Sequence, residues 1–265
     1  MTESRWLRIG LRVASALVLA FLYLPLVILV VYAFNTSRIP TWPPAGLTLH
    51  WFGEAWANPA IRDALTNSLL AAVGATSIAL VLGTAAALAV QRHDFFGRDT
   101  ISFLFVLPIA LPGVVTGIAL RTTYQTVGID LGLTTIIIGH ATFCVVIAYN
   151  NVIARLRRLP RTPEEASADL GADSWTTFRR ITLPGMGTAL VSGGLLAFAL
   201  SFDEIIVTLF TAGPGTRTIP IWIFTNIQRP AELPVVNVVA FALLLVSVIP
   251  VYFAQRIAGD ATAVR

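Results

Sequence analysis

Two adjacent acids, Asp203 and Glu204, stand near the end of an otherwise uncharged apolar stretch at about 187–210. A carboxylate at the middle of a bilayer costs about 2.5–3.5 kcal/mol on insertion scales, so such a pair must find water, a cation or a proton partner. Groups of this kind bind a passing cation or relay protons. On a helix, neighbouring positions point about 100° apart, so one acid should face a wet path while the other pairs within the helix bundle. The competing reading puts both near the outer interface, where the cost falls away. Ser201 lies two residues earlier, and Tyr149, in another apolar run, offers either an aromatic face to a path or a member of an interfacial belt. His140, Asn150 and Asn151 share that run and are weaker candidates. A lone intramembrane histidine is expected to hydrogen-bond a neighbouring helix rather than hold a ligand.

Other chemistries are excluded by composition. All 18 basic residues are arginine, so no lysine is present for a nucleotide phosphate loop, a Schiff base or a kinase strand. There is no H-E-x-x-H, no cysteine pair and no G-x-S-x-G, so neither an enzyme, a metal nor a cofactor is expected. Cys144 is alone inside an apolar run and reads as a small packing residue. The net charge of +4 does not indicate nucleic acid, because the arginines sit in short segments between apolar runs rather than in one stripe.

Elements able to position these groups follow from the hydropathy. With 56% hydrophobic and 12% charged residues and a mean hydropathy of +0.78, the chain is an all-α integral membrane protein. Charged residues bracket stretches of the ~20 residues a spanning helix needs, giving six spans at about 13–34, 67–91, 100–121, 132–153, 187–210 and 235–256. These form one transmembrane domain over 13–257, with an N-terminal segment 1–12 and a tail 258–265 in the cytoplasm. The first run exceeds the roughly 7–15 residues of a signal-peptide core, so it should stay as an anchor. A cytoplasmic N-terminus places 13 arginines inside and five outside, the expected bias, and also returns the C-terminus to the cytoplasm. In the second span Ala71, Ala75, Ala79, Gly83 and Ala87 make one smooth face for packing within the chain. Pro108, Pro112, Gly113 and Gly117 should interrupt the third. Trp42, Pro43, Pro44, Trp51 and Trp56 suit a segment lying along the outer leaflet.

The long cytoplasmic connection, 155–186, reads as two short helices. Thr162 is expected as N-cap, Pro163 at the first helical position and Glu165 as the far half of a capping box. Gly171 supplies a left-handed stop. A second helix starts after Asp173 or Ser174, with Trp175, Phe178 and Ile181 on one side, and stops at Leu183-Pro184.

Within this connection Glu165-Ala166-Ser167, three residues, Gly171, nine residues and Ile181-Thr182-Leu183-Pro184 resemble the EAA loop of permease subunits of bacterial binding-protein-dependent ABC importers. Ser167 stands where that pattern has alanine. Phe34-Asn35, Asn67-Ser68-Leu69, the run Leu200 to Thr208 and Thr211-Ala212-Gly213-Pro214 extend the likeness, most of all to spermidine/putrescine permeases of the PotC type. The resemblance implies a type I importer permease (MetI-like) fold with a cytoplasmic coupling helix. It also implies a second permease subunit, two copies of a cytoplasmic ATPase, an extracytoplasmic binding protein and a lipid surround. Glu165, Ala166, Ser167, Gly171, Ile181, Leu183 and Pro184 would then face the ATPase. A polyamine is a chain of ammonium groups on methylenes, so its path would call on Asp203, Glu204, Ser201 and Tyr149. An ion-coupled secondary transporter or channel is the rival reading, with the acids as a proton relay, and an intramembrane enzyme is a second. No inverted repeat favours the former.

Overall fold

The computed structural model describes residues 5–263; the ends of the expected terminal segments, 1–4 and 264–265, lie outside the described residues. The chain divides into two compact units, one holding the chain up to Ile61 with Ile223–Leu244, the other Arg62–Trp222 with the chain from Leu245 on. Helices follow one another as α1 (Arg5–Ala33), α2 (His50–Ala57), α3 (Pro59–Arg92), α4 (Arg98–Ala110), α5 (Gly113–Val127), α6 (Leu133–Leu156), α7 (Thr162–Asp169), α8 (Ser174–Thr177), α9 (Leu183–Phe202), α10 (Ile206–Thr211), α11 (Ile219–Asn226) and α12 (Leu233–Ala263). A π-turn, Phe178–Thr182, joins α8 to α9, and a 3₁₀ turn, Pro230–Glu232, precedes α12.

Among the described residues, five stretches are long and apolar enough to cross a membrane: Arg5–Ala33, Pro59–Arg92, Leu133–Leu156, Ser174–Phe202 and Pro230–Arg256. The expected third span is instead two helices, α4 of 13 residues and α5 of 15 residues. At 1.5 Å per residue these reach roughly 20 and 22 Å, each short of the ~30 Å hydrocarbon core. Their break falls at Leu111-Pro112, where the proline has no N–H to give and Leu111 is extended. The backbone stays helical through position 108.

In the second unit α6 is the central helix, with most of its length buried. Smooth neighbours allow this. Ala71, Ala75, Ala79 and Ala87 of α3 are all buried, and a Cβ added at Gly83 would lie 2.8 Å from the Tyr149 nitrogen and 2.9 Å from the Val145 carbonyl. The small-residue face therefore packs inside the chain, on α6. Cys144 is wholly buried among Ala79, Ala148 and Ala197, a packing residue as its type suggests. Tyr149 is also buried, stacked on Phe105 of α4 at 5.1 Å with its hydroxyl 3.2 Å from Ser102 Oγ, so it is not a belt residue.

The first unit carries the tryptophan-rich segment. Trp42 and Trp56 are exposed, but Trp51 is buried and donates its indole N–H to the Asn35 carbonyl at 2.7 Å, so it is a core residue of the loop rather than an interfacial one. Asn35 Oδ1 accepts from the Ser37 and Ala45 amides, and Phe34, Phe52 and Phe241 cluster beside it. Side chains of α1 from Arg5 to Ile28 are exposed on every face.

Candidate functional site: a broken membrane helix and a clamped helical knob

The fifth expected span is not one helix. It ends as α9 at Phe202 and resumes as α10 at Ile206, leaving Asp203, Glu204 and Ile205 between. The two acids therefore do not follow the 100° helical spacing, and Asp203 lies at the C-terminal end of α9 rather than within a continuous span. Glu204 folds forward: its Oε1 accepts the Val207 amide at 2.9 Å, satisfying a free N–H in the first turn of α10 and placing negative charge at a helix start. Asp203 is exposed, and among the described residues its carboxylate has no hydrogen-bond or ion-pair partner.

His140 of α6 holds both sides of this break. Its Nδ1 lies 2.8 Å from Ser201 Oγ on α9 and its Nε2 lies 2.8 Å from Thr208 Oγ1 on α10, and all three residues are buried. Proton accounting orders the network. The Thr208 hydroxyl gives its only hydrogen to the Glu204 carbonyl at 2.9 Å, so Nε2–H must donate to Thr208. A neutral ring then accepts from Ser201 at Nδ1. Sequence reasoning gave His140 no site role. Its signal was the spacing of Ser201 and Thr208, two helical turns apart on either side of the acids.

Both interrupted helices meet at glycines. A Cβ at Gly113, the start of α5, would lie 3.3 Å from Ile206 Cγ2, and one at Gly117 would collide with the Phe210 ring. Gly139 of α6 likewise closes on Val207 and Thr211. At Gly117 proximity leaves no room for a side chain unless Phe210 shifts, and the bare backbone at Gly113 and Gly139 lets α10 seat between α5 and α6 without displacing Ile206, Val207 or Thr211.

The helical knob between α6 and α9 differs in detail from expectation. The Arg161 carbonyl accepts the Glu164 and Glu165 amides, so α7 is capped one residue earlier than Thr162 and no capping box forms through Glu165. Pro163 has no N–H to spare, which lets the preceding turn tighten around Arg161. At the other end Gly171 has φ +80°, and its amide bonds the Ala168 carbonyl while Ala172 N–H bonds the Ser167 carbonyl, the paired closure of a Schellman motif. Asp173 caps α8, its Oδ1 accepting Thr176 N–H at 2.7 Å; this bond holds the carboxyl below the ordinary aspartate range.

Leu183-Pro184 does not terminate the second helix. The Leu183 amide reaches back five residues to the Phe178 carbonyl, so the π-turn widens the helix just before a proline that could not donate, and α9 continues from it. Ile181 and Leu183 are half-buried and Pro184 is exposed. Glu165 and Ala166 face solvent, as do Leu170 and Trp175, while Ser167 Oγ is 3.0 Å from Thr177 Oγ1, a bond an alanine could not make. Glu164, to which sequence reasoning gave no role, accepts from Arg92 Nη2 and from Thr182 Oγ1 on one oxygen, each at 2.8 Å. A cleft of about 530 Å³ opens beside it, lined by Arg92, His93, Arg161, Glu165 and Phe178 among others.

Apolar helices long enough to cross a membrane, breaks between α4 and α5 and between α9 and α10, an exposed carboxylate at the second break and a solvent-facing helical knob between α6 and α9 mark a multi-pass membrane protein with polar groups inside its spans. The chain belongs to the family of binding-protein-dependent transport system inner membrane components, which its residues 79–261 match. Within that family it is a permease subunit of an ABC importer and a multi-pass inner-membrane protein. Similar proteins include the putrescine transport system permease protein PotI of Escherichia coli K12, 37% identical over 84% of this chain and 82% of the relative. The spermidine/putrescine transport system permease protein PotC of the same organism is 33% identical over 92% and 91%. A putative 2-aminoethylphosphonate permease protein, PhnV of Salmonella typhi, is 32% identical over 88% and 90%. Among solved structures, a bacterial ABC transporter that imports the acidic polysaccharide alginate aligns with a TM-score of 0.72 over 98% of this chain and 99% of that one, at 16% identity. The MetNI methionine transporter aligns at 0.55 over 77% and 98%, also at 16% identity. The fold is thus the all-α, MetI-like importer permease fold expected from the sequence.

Proposed function

We propose that this subunit carries a small cationic solute, a polyamine such as putrescine or spermidine, into the cell. The observation that carries the reading is the free carboxylate of Asp203, exposed at the break between α9 and α10 where a membrane-embedded charge calls for a cation. The names of PotI, PotC and PhnV support it, since putrescine, spermidine and 2-aminoethylphosphonate all carry a primary amine. Ser201 and Glu204 shape the break and Tyr149 packs α4 against α6, so these three set the path's walls while Asp203 meets the charge.

The α4–α5 pair serves as the sixth crossing, with both termini in the cytoplasm. A second permease completes the path and an extracytoplasmic binding protein delivers the solute; the solved alginate ABC transporter is in complex with a periplasmic protein that has alginate pentasaccharide bound. Energy comes from two copies of an ATPase, one of them docked on the α7–α8 knob. There Glu165, Ala166, Ser167 and Gly171 form the contact, Leu170 and Trp175 offer apolar side chains to it, and Ile181, Leu183 and Pro184 carry the movement into α9. No lysine exists with which this chain could hold a nucleotide phosphate itself.

Asp203→Asn tests the cargo. It keeps size and hydrogen bonding but removes the charge, so putrescine uptake by the assembled complex should fall strongly while co-purification of all subunits is retained. Wild-type uptake with the asparagine would refute the cation path. Lost assembly would make Asp203 part of a structural ion pair with another subunit.

A further inference from the structure

The Glu164 clamp is not accounted for by the knob's outward face. Helix α7 buries none of its residues, so apolar packing does not fix its position. What ties it to the membrane helices is polar. Arg161 Nη2 donates to the Gln91 carbonyl at 3.0 Å, Ser167 pairs with Thr177, and Glu164 joins Arg92 to Thr182. Only the last bond set reaches two membrane helices at once. Arg92 is the last residue of α3, and Thr182 closes the π-turn from which α9 rises. The Arg92 and Glu164 side chains are 13% and 21% exposed, so this pair is shielded enough from water to resist the screening that weakens surface bridges.

We propose that Glu164 is the positioning residue that makes α7 move as one piece with α3 and α9, converting displacement of the docked knob into displacement of the membrane helices. This rests on the reading of α7–α8 as the ATPase-docking knob. One carboxylate oxygen shared between a guanidinium and a hydroxyl forms a junction of three elements, and a shift of α7 must carry both partners or break both bonds. The π-turn suits that role, because a wide turn with one residue to spare is a natural place for a helix to bend under load.

The test uses the complete complex in proteoliposomes, with two permeases, ATPase and binding protein, and reads putrescine transported per ATP hydrolysed. Glu164→Ala should lower that ratio about tenfold, within the usual span of coupling effects, while the ATPase still co-purifies. Thr182→Val, which removes one of the two bonds and keeps the shape, should lower the maximal rate and leave the half-saturating binding-protein concentration unchanged. The exchange Glu164→Arg with Arg92→Glu should restore most of what either single reversal loses. A wild-type ratio in Glu164→Ala, or a double reversal no better than the singles, overturns the proposal. Crosslinking from a cysteine placed at Glu165 separates this from the underlying reading. A crosslink to the ATPase with unimpaired Glu164→Ala sinks only the clamp, whereas no crosslink in the assembled wild-type background sinks the docking reading and the clamp with it.

Discussion

Replacing His140 by leucine removes the one side chain of α6, among the described residues, that hydrogen-bonds both α9 and α10 across their break. Leucine is close in volume and apolar, so the loss is of two bonds at 2.8 Å and not of packing. Intramembrane hydrogen bonds average about 0.6 kcal/mol with a ceiling near 1.7, so two should be worth about 1–2 kcal/mol. Relaxation keeps the figure in that range. The Thr208 hydroxyl retains its own acceptor, the Glu204 carbonyl, and the Ser201 hydroxyl can turn to a carbonyl one helical turn back. Reversible unfolding in mixed micelles, titrated with denaturing detergent, should therefore show a modestly lowered midpoint with an unchanged slope. His140→Gln, whose side-chain amide has both an NH₂ donor group and a carbonyl acceptor, should recover part of it. A loss above about 4 kcal/mol would mean that the imidazole neutralises a buried charge, and no loss would mean that the two hydroxyls are held by something else; either result refutes the network as described.

Three further expectations concern other parts of the chain. A Cβ at Gly213 would strike the Leu131 carbonyl, a backbone atom that cannot swing aside, so Gly213→Ala should cost about 1–3 kcal/mol; Gly10→Ala, which meets nothing, is the control and should not destabilise in the same unfolding titration. Hydrogen bonding from Thr176 lowers the Asp173 pKa in the folded state, so its contribution to the α8 cap is full above the ordinary aspartate range and lost as pH falls through the lower folded value; the Thr176 amide resonance should titrate below that range, and a midpoint at or above it would contradict the cap. Reporters fused after Arg161 should lie in the cytoplasm and those after Arg217 outside, and the reverse would overturn the proposed orientation.

How much of this was legible varies with how local the cause is. The period-four small residues of α3 announced a packing face because helix geometry alone puts them in line, and Gly171 announced its turn because few residues accept a left-handed backbone. Pro112 carried the α4–α5 break in the same local way. The α9–α10 break did not show. Ser201 to Thr208 contains no proline or glycine, and the helix yields there through His140, more than sixty residues earlier in sequence, and through the forward bond of Glu204. Pro184 misled for the converse reason: it carries the local mark of a terminator, but the π-turn ahead of it removes the conflict. Glu164 was hidden by its neighbour, since only Glu165 stands three residues after Thr162 as a capping box requires, and nothing local in the sequence shows Arg92 and Thr182 converging on Glu164.

The exposure of α1 from Arg5 to Ile28 bears on how this protein can diverge. From Arg5 to Ile28 every side chain is exposed and none belongs to the buried core, so within this subunit selection acts more on the length and oiliness of the segment than on the shape of any one position. Leucine, valine, isoleucine, alanine and phenylalanine are close to interchangeable there, whereas a single methyl at Gly83 or Gly213 is not. Among lineages descended from a common ancestor, α1 should therefore drift as a composition, its letters reshuffled while its hydropathy holds. Any position in it that refuses to drift would mark the footprint of another subunit.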